Sequence, residues 1–135
     1  MRQNYLKYTY ILILLSTILR FFVGSQIELG NDEVYYWLYA KYPDLSHFDH
    51  PPMVGFLIQF FTLDLLLNNE LFIRLAAIVP ASISMYVVFL IGKEIANEKV
   101  GLISVLLYNL SFYGLVISGT FILPDAPLVL FWLLS

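Results

Sequence analysis

The chain contains no cysteine, which excludes disulfide bonds and thiolate metal sites and leaves its redox compartment unread. Charge is scarce as well. Asp, Glu, Lys and Arg make up 13% of the residues, about half the share found in a soluble domain. The net charge of −3 is too small to argue for nucleic acid, and no basic run exists that would follow a phosphate backbone. Apolar residues fill the space instead: 60% of the chain is hydrophobic and the mean hydropathy is +0.80. This is the composition of an integral membrane protein.

The apolar runs predict spans at about 8–24, 72–92 and 100–119, with a truncated one from 126 that marks residues 1–135 as the N-terminal part of one longer transmembrane domain. The first run follows Arg2 and Lys7 and is interrupted by Arg20, which near an outer end would snorkel to the interface. A cleavable signal peptide ending near Val23-Gly24-Ser25 is the alternative, and Arg20 counts against it. Leu75 to Gly92 and Val100 to Pro124 are uncharged, with the turn Lys93-Glu94 to Glu98-Lys99 between them. Pro52 to Leu67 carries Gln59 and Asp64. As a helix of about 16 residues it would reach only ~24 Å. If it lies along the interface, Arg2, Lys7, Lys93 and Lys99 share the cytoplasmic side, as basic residues prefer. The expected fold is therefore an all-α polytopic membrane bundle. Its large first external loop, 25–71, carries interfacial helices at about 32–42 and 52–67.

With that parity, Asp32, Asp49 and Asp125 all face outside. Acids in the first turn of a helix complement its dipole by about 0.3–1 kcal/mol, which accounts for Asp32-Glu33 without any function. Adjacent helical residues point ~100° apart, so the two need not serve one site. Asn31 is the expected cap, and Tyr35, Tyr36, Trp37, Tyr39 and Tyr42 are aromatics suited to headgroup level. In His47-Phe48-Asp49-His50-Pro51-Pro52 the prolines stiffen a turn, and Asp49 and His50 offer an oxygen and a nitrogen to a divalent cation. Asp125, between Pro124 and Pro127, is suited to cap the next helix. Arg74 can snorkel, pair with Glu70 at i,i+4, or meet an anionic phosphate.

Asp32-Glu33-Val34-Tyr35-Tyr36-Trp37, Phe48-Asp49-His50-Pro51-Pro52, Arg74-Leu75 opening a span, and Pro124-Asp125-Ala126-Pro127-Leu128 occur in that order over essentially the whole chain. The series resembles the N-terminal part of the GT-C membrane glycosyltransferases, in the protein O-mannosyltransferase and aminoarabinose-transferase-like superfamily. The resemblance implies transfer of a sugar from a polyprenyl-phosphate donor to an extracytoplasmic acceptor, in protein glycosylation or lipid A modification. It implies catalytic roles for Asp32, with Glu33 beside it, and for Asp125. Asp49 and His50 are the implied metal residues, and His50, Arg74 and Tyr35 the substrate-binding ones. In the aminoarabinose transferases a lysine near the carrier phosphate stands where this chain has His50.

The residues suit that chemistry. A lipid phosphate leaves readily, so the reaction needs a base at the acceptor hydroxyl and positive charge at the phosphate. Asp32 is the expected base, with a divalent cation at Asp49 or Arg74 steadying the phosphate. A transporter or channel fragment is a competing reading, but such proteins put ionisable groups near the midplane. A non-catalytic remnant of a truncated glycosyltransferase gene is the third.

Overall fold

The computed structural model describes residues 4–135, so Arg2, used in the orientation argument, lies outside the described residues. Every regular element among them is helical: α1 (Tyr5–Gln26), α2 (Asn31–Lys41), α3 (Met53–Thr62), α4 (Glu70–Ile95), α5 (Glu98–Leu110), a π-turn (Tyr113–Ile117) and α6 (Asp125–Leu134). Two of these, α1 and α4, are long and apolar enough to cross a membrane.

The α1 helix is ordered the opposite way round from a helix in water. Its buried residues are Thr9, Ser16, Arg20 and Gly24, one polar or small stripe at helical spacing. Leu14, Leu15, Ile18 and Phe22 face outward and are more than half exposed. Water would strongly disfavour that arrangement; hydrocarbon accepts it, since small and polar residues pack helices together in lipid. The buried stripe lies along α4, where the Thr17 and Ser82 hydroxyls meet at 2.7 Å.

At the centre, α4 starts under an Asn69 cap, whose side chain accepts from the Phe72 N–H at 3.1 Å. Pro80 lies inside the helix without ending it. The α4–α5 crossing is set by glycine: a Cβ on Gly101 would stand 2.6 Å from the Phe89 carbonyl oxygen, and one on Gly92 2.8 Å from the Gly101 Cα. Only a missing side chain permits that approach.

Several expected boundaries shift. The run over 100–119 is not one helix, because Ser111 turns extended (φ −67°, ψ 141°) and ends α5 at Leu110. Its Oγ accepts from the Gly114 N–H at 2.9 Å and restarts the chain as the π-turn. The helix expected over 52–67 stops at Thr62, where Leu63, Asp64 and Leu65 take positive φ of 52°, 58° and 65°. Each such residue costs roughly 1–2 kcal/mol. The Thr62 Oγ1 offsets part of that by accepting the Leu65 N–H at 3.0 Å. With 10 residues, α3 reaches about 15 Å, half the ~30 Å of a bilayer core.

Val54 and Ile58 of α3 pack with Tyr36, Tyr39 and Ala40 of α2 and with Ile73, Ala76 and Ala77 of α4. Tyr36 and Tyr39 are thus core residues rather than headgroup aromatics, because α3 covers the face of α2 that carries them. The molecule has two poles. Lys93 and Glu98, 3.3 Å apart, lie at one, beside the start of α1, where Tyr10 stacks on Tyr86 at 5.8 Å. The end of α1, helices α2 and α3, and the starts of α4 and α6 make up the other.

Candidate active site

Glu33 and Arg74 form the framework of that second pole. Both are buried, and the Arg74 Nε and Nη2 donate to the two Glu33 carboxylate oxygens at 2.8 and 2.6 Å. Arg74 Nη1 also donates to the Gly24 and Ile27 carbonyls, and Nη2 to that of Glu28. A guanidinium has five N–H groups, and all are used. Arg74 therefore neither pairs with Glu70 nor snorkels, and it has no donor left for a phosphate. Glu33 is equally saturated: its oxygens also accept the Gly30 N–H at 3.0 Å and the Ile122 N–H at 3.1 Å. The pair ties the end of α1, the start of α2, α4 and the approach to α6. Glu33 is a strut rather than a free carboxylate beside Asp32.

Asp32 is its opposite. The 100° step of the helix turns it outward while Glu33 turns in, so it is exposed at the first turn of α2. The residue flanking the helix start is Gly30, with Asn31 already inside the helix, so the expected Asn31 cap is replaced by Glu33 reaching back to the Gly30 N–H.

Asp49 is held from α2. Tyr35 and Tyr39, four residues apart on one helix face, donate their hydroxyls to its Oδ1 at 2.8 and 2.5 Å. Those hydrogen bonds hold its carboxyl below the usual carboxylate range, the Tyr39 bond contributing most. Burial, aided by the bond to Asp49, pushes the Tyr39 hydroxyl strongly upward. His47 stacks on the Tyr39 ring with centroids 3.6 Å apart. A depressed carboxyl stabilises the fold above its unfolded pKa of roughly 4 and loses that contribution as pH falls through the lower folded value. The loop over 43–50 should therefore loosen only below about pH 4, and Asp49→Asn should abolish the transition in tyrosine near-UV dichroism. An unchanged acid transition in that variant would assign it to another group.

Asp125 is the first residue of α6, with Pro124 ahead of it, so it is not the cap expected from sequence. Its Oδ1 accepts instead from the Tyr113 hydroxyl of the π-turn at 2.7 Å. The Tyr36 hydroxyl is raised first by burial and then by the negative charges of Asp49 and Asp32. His50 lies against the same ring, centroids 5.5 Å apart.

His50 Nε2 and Asp49 Oδ2 are 3.9 Å apart, and among the described residues no group of three or more His, Asp or Glu side chains gathers to hold a metal. Two donors are too few to make a resident metal site by themselves. Lys41, on the same pole, stands 5.1 Å over the Trp37 ring. Sequence reasoning missed Tyr39 and Tyr113 as holders of the aspartates. The i,i+4 spacing of Tyr35 and Tyr39 was a usable signal; nothing local joins Tyr113 to Asp125. It also misplaced Arg20, which points into the bundle and is 1% exposed rather than snorkelling.

No curated protein and no solved structure gives a significant match to the chain. The family model described as dolichyl-phosphate-mannose-protein mannosyltransferase matches residues 49–135, which include Asp49, His50, Arg74 and Asp125 but not Asp32 or Glu33. That match covers more than half of the sequence, and with it the chain belongs to the dolichyl-phosphate-mannose-protein mannosyltransferase family of GT-C membrane glycosyltransferases.

Proposed function

We propose that this chain supplies the acidic side of a membrane glycosyltransferase site, which moves a sugar from a polyprenyl-phosphate donor to a hydroxyl of an extracytoplasmic acceptor. Family membership supports a glycosyltransferase-like function in general. The observation that carries the finer reading is the division of labour between neighbours: Glu33 is consumed by Arg74, while Asp32 is left exposed at the first turn of α2.

In this reading Asp32 accepts the proton of the acceptor hydroxyl as that oxygen attacks the anomeric carbon. The bond from that carbon to the phosphate oxygen breaks, and the lipid phosphate departs with the electron pair. Asp49, held by Tyr35 and Tyr39, and Asp125, held by Tyr113, complete the acidic side. The interface suits the reaction because the isoprenoid tail stays in lipid while the sugar meets water. Incubating membranes containing the protein with a radiolabelled polyprenyl-phosphate sugar and counting label in the acceptor fraction tests the activity. Label remaining wholly in the lipid, with the protein folded, would contradict it.

The reading also requires the acidic pole to be extracytoplasmic in a multi-pass protein. The chain lacks cysteine, so single introduced thiols report sidedness cleanly. Ser46→Cys should react with an impermeant maleimide on intact cells, and Ala96→Cys only after permeabilisation. The reverse pattern would put the acids in the cytoplasm and end the proposal.

A further inference from the structure

Tyr113 takes no part in the reaction above, yet a whole irregular segment is built to place it. After Ser111 ends α5, Tyr113–Ile117 form the π-turn, an irregularity that is rare and often found at functional sites. Side chains of the segment itself hold its shape. The Ser111 Oγ accepts the Gly114 N–H at 2.9 Å, the Ser118 Oγ donates to the Tyr113 carbonyl at 3.1 Å, and the Thr120 Oγ1 to the Leu115 carbonyl at 2.7 Å.

Arg20 fixes the same turn from α1. Its Nη2 spends both hydrogens, on the Asn109 side-chain oxygen at 2.9 Å and on the carbonyl of Gly114, the residue after Tyr113, at 3.1 Å. The guanidinium is 1% exposed, and among the described residues no carboxylate pairs with it. Gly119 closes over it: a Cβ there would stand 3.0 Å from the Arg20 Nε and would overlap the Gly114 carbonyl oxygen. A buried charge without a counter-ion is unfavourable, and what this one holds is the turn. The segment is tied again at its far end, where the Ile122 N–H donates to the buried Glu33 Oε1 at 3.1 Å. Both ends are thus fixed from inside the bundle, and Asp125 follows directly after the second tie.

What the segment presents is the Tyr113 hydroxyl, which donates to Asp125 Oδ1 at 2.7 Å. A phenol keeps its proton at neutral pH, so the bond has one direction. Among the described residues Asp125 Oδ2 makes no hydrogen bond. We propose that Tyr113 is a positioning residue, held by the π-turn so that Asp125 is gripped by one oxygen and offers the other to the transfer site. An ungripped aspartate would exchange among its staggered rotamers, whereas a reacting site needs one geometry. The catalytic consequence rests on the transfer reading above; the clasp itself does not.

The full protein in detergent would be compared as wild type, Tyr113→Phe, Asp125→Ala and the double variant. Hydrogen exchange over 111–128 reads the clasp, and transfer of radiolabelled sugar from a polyprenyl-phosphate donor reads its effect. Tyr113→Phe removes one oxygen from a ring that is 41% exposed, so the unfolding midpoint should hold. Exchange should quicken about three- to tenfold, the size of one hydrogen bond, equally in both single variants and no further in the double. In Tyr113→Phe, kcat per folded molecule should fall about tenfold with the donor KM unchanged, and adding that substitution to Asp125→Ala should lower kcat no further. Additive effects of the two substitutions on exchange would overturn the proposal, as would wild-type kcat in folded Tyr113→Phe beside an impaired Asp125→Ala. Coupled exchange in a protein that transfers no sugar would uphold the clasp and overturn the transfer reading instead.

Discussion

Glu33→Ala should leave little folded protein. Truncation strands the Arg74 guanidinium inside the bundle with its carboxylate gone, and breaking a buried pair in this way costs roughly 3–5 kcal/mol. Whole-domain stabilities are about 5–15 kcal/mol, so the loss is a large part of the total. Arg74→Ala should be at least as severe, since it also releases the carbonyls of Gly24, Ile27 and Glu28. The combined change Glu33→Leu with Arg74→Met should recover part of the stability, because well-packed apolar residues often replace a buried pair at small cost. Recovery should be incomplete, as those carbonyls and the Gly30 and Ile122 amides keep no partner. Thermal unfolding in detergent and the monodisperse fraction on size exclusion read these effects. Glu33→Gln that folds normally yet stops transfer would return Glu33 to the chemistry.

Asp32→Asn should behave in the contrary way. The side chain is exposed and its shape is preserved, so the unfolding midpoint should stay near wild type. Turnover in the transfer assay should fall by about 10²–10⁴-fold, the typical loss of a general base. Binding of the polyprenyl-phosphate donor should hardly change, since the carboxylate acts on the acceptor. Wild-type turnover in this variant would reduce Asp32 to a charge at a helix start. The two neighbours thus separate in opposite directions: one variant removes the fold, the other the reaction.

Composition pointed to a membrane protein, because 60% apolar residues with few charges is far from the balance of a soluble domain, and the family match and two apolar helices of spanning length agree with it. The acidic motifs were legible as well, since helix starts and proline turns carry local signals. Their distribution into free and consumed groups was not. Asp32 and Glu33 are neighbours of like charge, and only the register of α2 against α4 determines which one meets Arg74. Arg20 and Arg74 read alike, as lone cations near span ends, yet Arg74 finds a carboxylate and Arg20 an amide oxygen and a backbone carbonyl. The same holds for Ser111, where a hydroxyl able to bond its own backbone broke a run whose hydropathy read as one span. Sequence determined which residues could do chemistry here and which solvent surrounds them, because both depend on residue type and local spacing. Tertiary structure decided which of them remain available, because each buried donor or acceptor must find its partner from elsewhere in the chain, at distances no local pattern records.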